Sequence, residues 1–138
     1  MNYVSVDRIG FWWSYILHVY GQEYQNFNER ELKHSLLIAK LTESKDPRIV
    51  GAQLAYALLT KKPFPIYNTG MAISITEEFL KINSNPAEIQ KMRSNIIFEY
   101  VSTGRTNEET LINWFKQLNG PTESIIKHII ETDLNLIK

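Results

Sequence analysis

At 138 residues the chain has the length of one domain with a single core, and a composition 43% hydrophobic and 12% aromatic suits a packed globule rather than a disordered chain. Fifteen Lys and Arg against fifteen Asp and Glu leave no net field toward nucleic acid or anionic lipid, while the lack of cysteine excludes disulfides, thiolate catalysis and cysteine-held metals. No run is long and apolar enough to span a bilayer and the start MNYVSVDRIG carries no leader pattern, so a cytoplasmic protein without membrane or nucleic-acid partners is expected.

The predicted elements are all helices. Asp7 opens a first one in which Ile9, Trp12 or Trp13, Ile16 and Val19 recur at helical spacing, with Gly21 as its stop. Asn28 is a cap with Glu31 three places on, followed by Leu32, Leu36 and Ala39 on one face, and this second helix runs to near Ser44. Asp46-Pro47 places a cap before a proline at the first helical position, and Val50, Leu54, Ala57 and Leu58 then line one side up to Pro63. After the junction KKPFPIYNTGM, a fourth helix carries Ala72, Ile75, Phe79 and Ile82, with Asn68 or Thr69 as its cap. Asn85-Pro86 combines cap and proline again and predicts a long fifth helix through Ile89, Met92, Ile96 and Tyr100, closed by Gly104. A capping box at Thr106 to Glu109 feeds Leu111, Trp114 or Phe115, and Leu118, and Asn119-Gly120-Pro121 breaks the chain. Ile125, Ile126, Ile129, Ile130, Leu134 and Ile137 predict a last amphipathic helix. With no strand-like alternation, the expected class is an all-α single-domain bundle of about seven helices over 1–138.

Few residues point to chemistry. His18, His34 and His128 fall on different helices without ligand spacing, so neither a metal nor a cofactor is expected. Glu77 and Glu78 are adjacent on a helix, diverge by about 100°, and mark a solvated face rather than a catalytic pair. The aromatic run FWWSYILHVY lacks the basic stripe of a nucleic-acid platform. Because neighbouring tryptophans cannot both face one interior, one of Trp12 and Trp13 is a candidate partner-binding residue.

The junction explains itself by resemblance. Residues 62–70, KPFPIYNTG, are similar in layout to the signature H-x-F-x-[DE]-G-N-[GK]-R of the Fic/Doc family, with Phe64 and Asn68 in register. Upstream, IVGAQLAYALLTKKPF resembles the family helix that ends in Asn-His-Pro-Phe, and ILHVYG looks like the Tyr-Gly end of the first helix in Doc-type members. Downstream, EYVSTGRTNEETLINWFKQL resembles the family ending A-x-G-x-x-[ST]-x-[ED]-[ED]-L-x-x-W-L, with Thr103, Gly104, Glu108, Glu109, Leu111 and Trp114 in step. The resemblance covers 7–119 as a Fic/Doc-like core and leaves 121–138 as an additional C-terminal helix.

The departures from that pattern bear on function. Where the family has its general-base histidine, this chain has Lys62, and a lysine carries its proton at neutral pH. The magnesium-holding carboxylate is replaced by Ile66, the phosphate-wrapping glycine by Tyr67, and the phosphate-clamping arginine by Gly70. General-base catalysis alone is worth roughly 10²–10⁴ in rate, so the resemblance implies a catalytically inactive relative, with residual anion binding confined to Asn68, Thr69 and Gly70 at a helix N-terminus. Doc is the toxin of a toxin–antitoxin pair, so the implied role is a protein-binding regulator, phage-encoded or linked to such a system. Its partner would be a toxin–antitoxin component or a translation factor, met through Trp12, Trp13, Pro63 and Tyr67. Two alternatives stay open: a noncanonical nucleotidyl- or phosphotransferase that uses Lys62 as phosphate contact, and an unrelated all-α adaptor or dimerisation module. In any of these the isoleucine stripe at 125–137 would serve a homodimer or a cover of its own.

Overall fold

The computed structural model describes residues 1–87, 89 and 95–118. Six helices make up its regular structure: α1 (Val6–Val19), α2 (Glu29–Leu41), α3 (Pro47–Lys61), α4 (Asn68–Ile82), α5 (Asn95–Ser102) and α6 (Glu108–Lys116). Among the described residues there is no strand, so the class is all-α as expected. The helix expected at 125–137, with His128, lies outside the described residues, and the count among them is six.

Local chemistry sets most of the boundaries. Ser5, Asn28, Asp46 and Asn107 each accept a backbone N–H of the turn that follows, so α1, α2, α3 and α6 start on side-chain caps. Gly21 and Gly104, with φ of 67° and 75°, turn the chain out of α1 and α5, and the N–H groups of Gln22 and Arg105 close back on Leu17 and Tyr100. The expected start of a helix at Asn85-Pro86 is not observed, since residues 85–87 are non-helical. Ser84 adopts φ 60° and the Asn85 N–H bonds the Leu80 carbonyl at 2.9 Å, so this dipeptide closes α4 instead of opening α5.

α3 is the centre of the molecule and packs against α2, α4, α5 and α6. Val50, Gly51, Ala52, Leu54, Ala55, Ala57, Leu58 and Leu59 are all buried, so it is apolar around most of its circumference, as a helix enclosed by others must be. Its small residues let neighbours close in: a methyl group built on Gly51 would stand 3.3 Å from Leu80 Cδ2 and 3.5 Å from Phe115 Cε2. Two aromatic clusters fill the ends of the core. Phe98, Trp114 and Phe115 meet at 5.3 to 6.3 Å between α5 and α6, while Trp13 stacks on Phe64 at 5.0 Å with Phe27 at 5.8 Å beyond it.

α1 buries Ile9 and, of the two tryptophans, Trp13, as its spacing allows, but Leu17 takes the inward place expected of Ile16 and Val19. Ile9, Trp13 and Leu17 are buried at i, i+4, i+8, whereas Trp12 and Ile16 are half-buried and Val19 is exposed. Trp13 is therefore a core residue and not a partner-binding one. Its indole Nε1–H donates to the Gln25 carbonyl at 2.7 Å, which supplies the polar partner that a buried indole needs. Trp12 is the member of the pair left at the surface, with the Arg8 guanidinium 5.2 Å above its ring. Arg8 also reaches across to Glu78 on α4 at 2.8 Å.

Candidate functional site

The junction between α3 and α4 is built from both sides. α3 ends at Lys61, and Lys62 takes a left-handed conformation at φ 48°, ψ 63° that reverses the chain. Pro63 and Phe64 then run inward and are buried. The Asn28 N–H at the start of α2 donates to the Pro63 carbonyl at 2.7 Å, and the Phe64 ring enters the cluster with Trp13 and Phe27. Pro63 is thus another candidate contact residue that the structure withdraws from the surface, because its ring fills space between helices. Pro65 is exposed, and Ile66 packs part-buried on the core.

Asn68 holds this loop together. Its Oδ1 accepts the Phe64 N–H at 3.0 Å and its Nδ2–H donates to the Phe64 carbonyl at 2.6 Å, so one amide satisfies both main-chain groups of a residue four positions back. Neither Asn68 nor Thr69 caps α4 as expected. The N-cap is Tyr67, in the left-handed region at φ 60°, ψ 29°, and no side chain accepts from the first turn of the helix. The Tyr67 ring, 39% exposed, packs at a 37° tilt against Tyr20 at the end of α1 with centroids 5.2 Å apart.

A groove of about 620 Å³ opens beside the junction, lined by Lys62, Tyr67, Asn68, Thr69, Gly70 and Ile73 on one side and by Glu99 and Ser102 of α5 on the other. The exposed N-terminus of α4 gives it a partial positive end. Of the three residues expected to hold an anion, Asn68 has its amide engaged by Phe64, while Thr69 is half-buried and Gly70 exposed in the groove. Glu99 brings a carboxylate to the same space, which opposes an anion there.

Sequence spacing had not connected Tyr20, Glu99 or Ser102 with the junction by any periodic signal. The Tyr-Gly end of α1 enters only through the quoted resemblance, and the α5 pair enters only through the packing of α5 on α4. His18 and His34 are exposed on α1 and α2, and among the described residues no three His, Asp or Glu side chains converge as metal ligands would. Among the same residues no helix is long and apolar enough to cross a membrane. Compared with protein-family models, curated proteins and solved structures, the chain finds no match.

Proposed function

We propose that this chain is a protein-binding regulator on a Fic/Doc-like scaffold, in which the α3–α4 junction keeps the path of a phosphate-handling loop and has lost its chemistry. The observation that carries the reading is the backbone at Tyr67, with φ 60° and ψ 29°. Glycine enters that region freely, whereas an L residue there costs about 1–2 kcal/mol. Tyr67 stands where the resembled motif has glycine, and the next residue, Asn68, aligned with the motif asparagine, braces Phe64, aligned with its phenylalanine. A bulky side chain held in a glycine conformation fits a loop whose path outlasted its original use.

The groups at the remaining positions support loss of catalysis. Lys62 replaces the base, Ile66 packs on the core where a metal-holding carboxylate would stand, and Gly70 replaces the cationic clamp. In their place the surface offers Tyr20 and Tyr67, packed ring to ring at a tilt and 63% and 39% exposed. Tyrosines give large contact area at small entropic cost, which suits a protein partner. The resemblance points to a toxin–antitoxin component or a translation factor, and to a phage or bacterial setting. A photo-crosslinking residue at position 67 tests this in source cells. A single crosslinked partner, lost on Tyr20→Ala with the fold retained, supports the reading; equal crosslinking with and without Tyr20 removes this surface from it.

One observation favours a second reading: Lys62 and Glu99 line the same groove. A nucleotidyl- or phosphotransferase acting on a protein would use Lys62 as phosphate contact and Glu99 as base. Incubation with labelled nucleoside triphosphate, magnesium and source-cell extract separates the two, since a labelled protein lost on both Lys62→Ala and Glu99→Gln would replace the binding reading.

A further inference from the structure

α1 carries a second apolar stripe on the side away from the core. Ile9, Trp13 and Leu17 are buried, while Phe11, Tyr15 and Val19, again at i, i+4 and i+8, are 71%, 61% and 56% exposed. At about 100° per residue, Asp7, Arg8 and His18 share the outward arc and are exposed too, Asp7 and His18 along one flank of the stripe and Arg8 along the other. Arg8 is engaged by Glu78 and by the Trp12 ring. Among the described residues neither the Asp7 nor the His18 side chain has a partner within the chain. Exposed rings on successive turns of one helix, with unspent polar groups beside them, mark an interaction surface.

We propose that this face binds a second copy of the chain, α1 against α1 in antiparallel orientation, as a two-fold symmetric, transient dimer. The pattern is its own complement in that orientation. Phe11 and Tyr15 have their midpoint at Trp13, and Asp7 and His18 have theirs within one residue of it. A two-fold axis at that level sets Phe11 on Tyr15 of the second copy and Asp7 beside His18 of the second copy, each contact made twice. The same axis brings like flanks together, so the carboxylate and the imidazole meet along one side of the aromatic seam, where an imidazole N–H donates to the carboxylate. Parallel pairing would oppose Asp7 to Asp7 and align the two helix dipoles, so both charge effects select the antiparallel arrangement. A chain with no net charge adds no general repulsion between copies.

The size of the face sets the strength of the contact. An aromatic side chain presents about 150–250 Å², so Phe11 and Tyr15 at their exposures offer roughly 260 Å² per copy, to which Val19 and the flanking residues add. The pair then buries on the order of 1,000 Å² in total, below the roughly 1,200–2,000 Å² of stable complexes and within the range of transient ones. A dissociation constant on the order of 0.1 mM follows. The inference stands apart from any reading of the α3–α4 junction.

Sedimentation velocity of the full chain from about 10 µM to about 1 mM tests it. The average mass is expected to rise toward that of a dimer across this range. Phe11→Ser with Tyr15→Ser, both at exposed positions, is expected to weaken association at least tenfold with helicity retained. A chain that stays monomeric to about 1 mM overturns the proposal and leaves the face to a different molecule; association indifferent to the two serines overturns it as well. Orientation is read from Asp7→Lys and His18→Glu. Each variant alone should self-associate several-fold more weakly than the parent, whereas an equimolar mixture should form a mixed dimer, since lysine then meets glutamate once and the native pair is kept once. A mixture that associates no better than the separate variants overturns the antiparallel arrangement.

Discussion

Replacing Asn68 tests whether the junction is a braced loop or an ordinary helix start. The two hydrogen bonds to Phe64, at 3.0 and 2.6 Å, each contribute about 0.5–1.5 kcal/mol net, and their loss leaves a part-buried N–H and carbonyl with only partial access to water. Asn68→Ala is therefore expected to cost about 2–3 kcal/mol, read as a lower urea midpoint with an unchanged slope and a Tm lower by about 6–10 °C. Asn68→Asp decides the mechanism. At the first position of α4 a carboxylate gains about 0.3–1 kcal/mol from the helix dipole. As a brace, however, it loses the donor to the Phe64 carbonyl and sets a negative oxygen against it. The brace predicts that Asn68→Asp at pH 7 loses nearly as much as Asn68→Ala; a role confined to the helix start predicts an aspartate variant at least as stable as the parent. Finding both variants within about 0.5 kcal/mol of the parent, inside the usual range for surface changes, would refute the brace.

Trp13→Ala should cost about 3–5 kcal/mol in urea unfolding, because a fully buried ring and its bond to Gln25 are lost, while Trp12→Ala next to it should cost under about half of that. Gly70→Ala should raise stability by about 0.5–1 kcal/mol, since nothing lies within 4 Å of the added methyl group and alanine restricts the unfolded chain. The Arg48 side chain, hydrogen-bonded to Asp46, holds that carboxyl below its ordinary value of 3.8. A folded-state value below the unfolded one stabilises fully above the unfolded value and fades as pH falls through the folded one. Asp46→Asn retains a capping side chain without the charge, so the stability gap between parent and variant, measured by urea midpoints, should narrow on going from pH 6 to below about pH 3. A gap that is constant across that range would show that the ion pair contributes nothing to the pH dependence.

Helix starts were legible at α2 and α3, where Asn28 to Glu31 and Asp46 to Arg48 lie two or three residues apart, within reach of a sequence pattern; α1 instead starts on Ser5 where Asp7 was expected, and α6 on Asn107 where a capping box from Thr106 was expected. The same locality misleads at Asn85-Pro86, a good cap by composition. There Ser84 takes φ 60°, the Asn85 N–H closes on the Leu80 carbonyl five residues back, and residues 85–87 are non-helical. The aromatic composition of α1 was plain, yet periodicity alone could not choose between Trp12 and Trp13, since both lie on a plausible inward arc.

The order of the helices, the caps of α2 and α3 and the odd chemistry of the loop at 62–70 are written in the sequence, because each depends on residues close along the chain. Which tryptophan is core, that Asn68 bonds Phe64 instead of capping α4, and that Tyr20, Glu99 and Ser102 border the junction were decided only by tertiary packing. These choices turn on which neighbour occupies the space: Phe64 and Gln25 select Trp13, and the burial of Phe64 main-chain groups creates the demand that Asn68 meets.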